Sequence, residues 1–355
     1  MNLENITSES IELLKKLIAT PSISREEDQT AQLIQDFLEQ KKIKTYTSKN
    51  NVWAYAQPLQ KDLPTVLLNS HHDTVKPNQG YTRNPFEADV EDGKLYGLGS
   101  NDAGGSLVSL IATFLTLKEK QLPYNLILAT TAEEEISGKN GIEIVLPELP
   151  KIDLAIVGEP TEMNLAIAEK GLMVLDCTAH GKAGHAARDV GENAIYKALK
   201  DIKKLKNLTF PEVSENLGKI KVSVTIIQSG TQHNVIPDKC TFTVDVRTTD
   251  AYTNKETLKF IQQNIESEVV ARSTRLNPSG ISSEHPILKV AQKLGLKTFA
   301  SPTMSDQALI SYPSVKIGAG KSERSHTPDE FIFVDEIREA IPIYIQLLEN
   351  LNFKN

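Results

Sequence analysis

Ser70-His71-His72-Asp73-Thr74-Val75 follows directly on the apolar run Val66-Leu67-Leu68. The run reads as a buried strand, and a buried strand that ends in two imidazoles and a carboxylate delivers metal-binding groups to the edge of a sheet. Alternate residues of an extended backbone share a face, so His71 and Asp73 point one way and His72 the other. Asp73 is then placed to accept the second ring N–H of His71 and fix its tautomer. A single His-x-Asp after a strand would read as a polar turn. Three later segments with the same construction shift the reading to a site.

Leu95-Tyr96-Gly97-Leu98-Gly99-Ser100-Asn101-Asp102 leads into a predicted helix from about 103 to 119, with Asp102 at its mouth as an N-cap or a ligand. Asn125-Leu126-Ile127-Leu128-Ala129-Thr130 is a short apolar strand followed at once by Glu133, Glu134 and Glu135. On a surface helix such a triplet would be a solvated charge run. After a buried strand, with no helical turn before it, it reads as part of a site. Ile152-Asp153-Leu154-Ala155-Ile156-Val157 then runs into Gly158-Glu159-Pro160-Thr161. Ligands in open α/β sheets bind beyond the carboxyl ends of parallel strands, so these groups are expected to converge. A further histidine, His326, stands in Ser325-His326-Thr327-Pro328-Asp329-Glu330 after the strand Ser314-Val315-Lys316-Ile317-Gly318.

From Leu172 the continuous apolar runs give way to alternation, which marks a sheet with one wet face. Strands are predicted at 172–179, 220–226, 240–247 and 271–276. Between them lie a helix over 193–208, with Ile195, Leu199, Ile202 and Leu205 inward, and one opened by the capping box Thr253/Glu256, with Leu258, Ile261, Ile265 and Val269. The order β-α-β-β-α-β is that of a ferredoxin-like sandwich. An α/β domain over 1–170 and 279–355 thus carries an inserted domain over 171–278.

Composition sets the outer bounds. The 355 residues are 39% hydrophobic and 24% charged, with 39 Lys and Arg against 46 Asp and Glu, a net charge of −7. That balance, without a basic block or a long apolar run, argues against nucleic acid and membrane, and the chain reads as cytoplasmic. Cys177 and Cys240 lie in strand-like stretches without metal-ligand spacing and read as free thiols.

Taken in order, these segments resemble the family of di-zinc amidohydrolases that includes acetylornithine deacetylase, succinyl-diaminopimelate desuccinylase, aminoacylases and related carboxypeptidases. The resemblance runs nearly end to end. It covers the segments at 70–75, 97–102, 131–135, 158–161 and 325–330, and in the insertion Gly-Lys-Ala-Gly-His-Ala-Ala at 181–187, Asn-Val-Ile-Pro at 234–237 and Asp-Val-Arg at 245–247. It implies a zinc-dependent exopeptidase-like catalytic domain whose ferredoxin-like insertion serves as lid and dimerisation domain. His71, Asp102 and Glu159 would hold one Zn²⁺, and Asp102, Glu135 and His326 the other, with Asp102 bridging. Mixed nitrogen and oxygen ligation suits zinc and would accept cobalt or manganese. Where the family usually has Asp-Met-Lys-Gly, this chain reads Asp102-Ala103-Gly104-Gly105.

The resemblance further implies that Glu134 is the general base, that Asp73 steadies His71, and that His185 supplies a donor to the tetrahedral oxyanion across a homodimer. Arg247 and Asn234 would clamp the α-carboxylate of a small N-acyl amino acid, where a planar guanidinium fits. The expected reaction is hydrolysis of an N-acyl amide, with N-acetylornithine, N-acetylcitrulline or N-succinylornithine as substrate in arginine biosynthesis. Succinyl-diaminopimelate desuccinylase and a dipeptidase or carboxypeptidase are the alternatives within the class. A metal-less binding homologue is the alternative outside it, and the full set of competent ligand residues speaks against that.

Overall fold

The structure is a computed structural model that describes residues 2–188 and 190–353. The chain forms two compact units, one of Met1–Ile167, Gly280–Phe299 and Ser305–Asn355, the other of Ala168–Ser279 with Ala300–Met304.

In the first unit the apolar runs become the middle of a mixed sheet. Six of its nine strands lie in the order Thr45–Ser48, Asn51–Tyr55, Asn125–Thr131, Thr65–His71, Leu154–Val157, Ser314–Lys316. The last four run parallel to one another, while the two hairpin strands before them run antiparallel. Val66 and Leu68 enter one core and Leu67 enters another on the opposite face, so both faces are covered and the strand has no polar side. The first core takes Leu14 from helix Leu3–Ile18, Ile34 from Asp28–Gln40, Phe114 from Gly105–Leu117 and Tyr344 from Val334–Glu349. Helix Gly105–Leu117 is buried on nearly every side, and its Ser109 and Thr113 hydroxyls donate to the carbonyls four residues back at 2.7 and 2.8 Å.

In the second unit four antiparallel strands lie in the order Lys221–Ser229, Lys239–Thr248, Gly171–His180, Glu268–Ala271, with helices Ala194–Lys206 and Asn254–Asn264 completing the β-α-β-β-α-β sequence. The capping box of Thr253 and Glu256 is present, and both cysteines are free and buried. Two expectations are corrected. The last strand is Glu268–Ala271 rather than 271–276, because the helix stops at Asn264 and Asp201 Oδ2 draws the chain away by accepting the N–H groups of Glu266 and Ser267 at 3.1 and 2.7 Å. Leu199 points outward, 51% exposed, because the buried stripe of its helix runs through Ala194, Ala198, Asp201 and Leu205.

Candidate metal centre

Three adjacent parallel strands end at the same edge of the sheet, and neighbouring strands lie roughly 4.8 Å apart, so groups just beyond them meet within one small volume. His71 is the last residue of Thr65–His71, Glu134 and Glu135 follow Asn125–Thr131, and Glu159 follows Leu154–Val157. Asp102 enters from the turn Ser100–Gly104, where its φ of −116° and ψ of 97° leave the helical range. His326 enters from the segment after Ser314–Lys316.

The six side chains come together. His71 Nε2 lies 3.4 Å from Asp102 Oδ1 and 3.7 Å from Glu159 Oε1. His326 Nε2 lies 3.6 Å from Asp102 Oδ2 and 2.9 Å from Glu135 Oε2. Asp102 therefore offers one oxygen toward each imidazole. Within each of the trios His71/Asp102/Glu135 and His71/Glu134/Glu159 the donor atoms fall inside 4.8 Å of one another. Proximity alone does not separate Glu134 from the ligands, since it stands as near to His71 and Glu159 as a ligand would.

The surroundings orient these groups. His71 Nδ1 donates to the main-chain oxygen of Asp73 at 3.0 Å, with the Asp73 carboxylate at 3.4 Å, so the carbonyl rather than the carboxylate makes the shorter contact. The carboxylate is engaged elsewhere: Oδ1 accepts the Glu134 N–H at 3.0 Å, and Oδ2 accepts the Glu135 N–H at 3.1 Å and the Ser24 hydroxyl at 2.7 Å. Glu133 takes a left-handed turn, φ 56°, and its carboxylate turns away to Asn140. Asp102 is not an N-cap in the ordinary sense, because its side chain caps no helical N–H. The buried carboxylate of Glu330 instead accepts the N–H groups of Gly99, Asn101 and Asp102 at 3.1, 2.8 and 2.9 Å. Beneath the site Asp306 Oδ2 accepts Asn69 Nδ2 at 2.9 Å and Thr131 Oγ1 at 2.8 Å, tying the ends of the strands that carry His71 and Glu134.

The electrostatics call for a cation. Burial pushes Glu134 and Glu159 well above the usual carboxylate range, and neighbouring carboxylates push further. The hydrogen bond to Glu135 raises His326 to about 9. Burial and then the charge of Asp102 lift Glu330 to about 8, although three N–H groups pull against them. His71 Nε2 is buried without a hydrogen-bond partner among the described residues, a costly arrangement for an imidazole nitrogen unless a metal takes it. The donor set of imidazoles and carboxylates fits divalent metal.

His72 has a local role: its ring nitrogens meet Thr30 Oγ1 and the Asn50 carbonyl, both at 2.9 Å, and burial lowers it to about 4. His185, Asn234 and Arg247 belong to the second unit, apart in the chain from the groups above. His185 and Asn234 meet in a short ribbon, where His185 pairs with Val235 and the Ala186 N–H donates to the Asn234 carbonyl at 3.0 Å. Arg247 Nε and Nη2 donate to Asp245 at 2.9 and 3.2 Å.

Sequence reasoning passed over Glu330 and Asp306. Glu330 stands inside the motif at 325–330 without an assigned role, and Asp306 lies in none of the motifs. The missing lysine also has a structural cause. A Cβ at Gly104 would stand 2.3 Å from the Gly99 carbonyl oxygen and 2.5 Å from Leu14 Cδ1.

Paired imidazole and carboxylate donors at the carboxyl edge of a parallel sheet make this an α/β protein fitted to hold divalent metal. Residues 67–350 match Peptidase family M20/M25/M40, and the chain belongs to this family of enzymes that hydrolyse amide bonds. It is 27% identical over 383 residues to acetylornithine deacetylase of Proteus mirabilis, covering 96% of each chain. It is 26% identical over 372 residues to succinyl-diaminopimelate desuccinylase of Wolbachia pipientis wMel, covering 96% of this chain and 92% of that one. Among solved structures, aminopeptidase PepT from Bacillus cereus superposes with a TM-score of 0.78 at 18% identity, covering 99% of both chains. A Bacillus subtilis dinuclear metal-binding peptidase of the M20 family gives 0.76 at 20% identity, again over 99% of both. No helix among the described residues is long and apolar enough to cross a membrane.

Proposed function

We propose that the protein is a di-zinc deacylase of N-acyl amino acids, with N-acetylornithine or a close relative such as N-acetylcitrulline or N-succinylornithine as substrate, acting in cytoplasmic arginine biosynthesis. The observation that carries the metal reading is the placing of one Asp102 oxygen toward each of His71 and His326. His71, Asp102 and Glu159 would hold one ion, and Asp102, Glu135 and His326 the other. When bound, the ions would lower the pKa of a water toward neutrality and polarise the acyl carbonyl. Glu134, beside a proposed ligand but not needed as one, takes the proton of the attacking water and returns it to the departing amine. Asp73 holds the Glu134 and Glu135 N–H groups and so sets their side chains against His71.

Recognition is assigned to the second unit. Arg247 and Asn234 bind the substrate α-carboxylate; with Nε and Nη2 turned to Asp245, Arg247 keeps Nη1 for it. His185 donates to the oxyanion of a neighbouring subunit in a homodimer. Support for a second copy comes from Tyr196 and Leu199 on one helix and Ile226 and Ile227 on the edge strand beside it, each about half exposed or more. A panel of N-acetylornithine, N-acetylcitrulline, N-succinylornithine, succinyl-diaminopimelate and dipeptides tests the assignment. Comparable identity to a desuccinylase keeps succinyl-diaminopimelate as the second reading, and turnover of that compound alone would replace the first.

A further inference from the structure

His326 is the most exposed of the metal-binding groups, its side chain 55% accessible, and it stands on a loop residue with φ 60°. A residue placed in this way, outside any helix or strand, needs supporting contacts to hold an imidazole in a coordinating position, because metal bonds tolerate only about a few tenths of an ångström. The segment is fastened at both ends to the segment that bears Asp102. At one end the Asn101 side chain grips the main chain of Lys321 twice: Oδ1 accepts the Lys321 N–H at 2.9 Å and Nδ2 donates to the Lys321 carbonyl at 3.0 Å. At the other end Glu330 accepts the three N–H groups of Gly99, Asn101 and Asp102, and its own carbonyl accepts the Gly97 N–H at 3.0 Å. Asn101 is 0% exposed and Glu330 2%, so neither contact is diluted by water.

Building on the metal reading above, we propose that Asn101 and Glu330 form a reciprocal clamp, each reaching from its own segment to the main chain of the other. The clamp holds His326 and Asp102 at the separation that the Glu135–His326 ion requires. Both are positioning residues. Asn101 governs only the His326 segment, whereas Glu330 also fixes the N–H of the bridging ligand. Their substitutions should therefore fail differently.

The experiment is a zinc titration of metal-stripped full-length protein against a competing chromophoric chelator, which yields stepwise constants without reference to activity. Wild type takes up two ions per chain. Asn101→Asp, isosteric but with an oxygen facing the Lys321 carbonyl, leaves the first constant within about twofold and weakens the second at least tenfold, as loss of a second-layer partner typically does. Glu330→Gln, which sets an amide N–H against an N–H, weakens both. Lys321→Ala removes a side chain but none of the gripped atoms and keeps both constants. Should Asn101→Asp not fold, Gly320→Ala carries the same expectation, because its Cβ would stand 2.4 Å from Asn101 Oδ1. The clamp is overturned if Asn101→Asp changes neither constant, if it lowers both equally, or if Lys321→Ala reproduces it. Fewer than two ions in wild type would overturn the metal reading itself.

Discussion

The Asp73 carboxylate accepts the Glu134 main-chain N–H at 3.0 Å, while the Asp73 carbonyl accepts from His71 Nδ1 at the same distance. One residue thus joins the proposed base to a proposed ligand. With Nδ1 donating, Nε2 of a neutral His71 carries its lone pair toward Asp102 and Glu159.

Glu134 and Glu135 are neighbours in the chain with different assigned tasks. Glu134→Gln keeps both metals and loses about 10²- to 10⁴-fold in kcat, the usual worth of a general base. Glu135→Gln loses metal. Metal analysis beside kcat separates the two, and the reverse pattern would exchange the assignments.

Arg247→Lys raises KM for carboxylate-bearing substrates, since an ammonium cannot hold Asp245 with a planar fork and still aim a further N–H at the substrate. Asp245, which occupies two of its nitrogens, is the natural companion variant. Unchanged kinetics in Arg247→Lys would remove the clamp on the α-carboxylate.

Asp306 supplies a pH signature for the metal-free protein. Burial raises it from 3.8 to about 6, against the pull of Asn69 and Thr131. The folded state therefore binds its proton more tightly than the unfolded one, so the contribution to stability is present below pH 3.8 and is lost as pH rises through about 6. Its size is on the order of 2–3 kcal/mol. Denaturant titrations from pH 4 to 7 should show wild type losing stability relative to Asp306→Asn; parallel curves would refute the assignment.

Gly104, where the resemblance implies lysine, is a packing requirement. Gly104→Lys forces its Cβ against the Gly99 carbonyl and Leu14, at about 1–3 kcal/mol for an overpacked site. The urea midpoint of the variant measures it, and a midpoint equal to wild type would show that the turn yields freely.

Sharing of His185 between subunits is tested by mixing Glu134→Ala and His185→Ala proteins, each nearly inactive alone. With random exchange roughly a quarter of all sites regain both groups. Subunits that exchange without recovering activity would place His185 in its own chain's site or outside catalysis.

Much of this was legible because parallel strands buried on both faces read as unbroken apolar runs, and the residues that break such runs stand out. His71, Glu134, Glu135 and Glu159 were found that way. Glu330 and Asp306 were not, because each bonds partners more than 170 positions away and neither interrupts an apolar run. Strand 268–271 was missed for a related reason: Ile265 and Val269 continue a helical spacing that Asp201, far away in sequence, overrules. Leu199 shows the complementary limit, since apolar periodicity gave a face wider than the stripe the fold buries.

The chain leaves the first unit after Ile167 and resumes it at Gly280. On a ribosome, the strands bearing His71, Glu134 and Glu159 emerge early, yet strand Ser314–Lys316 and the core helix Val334–Glu349 come last. The second unit, nearly contiguous, can complete its own sheet while the first still lacks its final strand and its covering helix. Translation thus delivers His326 only after the four other proposed ligands have been synthesised, so the acidic residues of the cluster precede the imidazole that completes it.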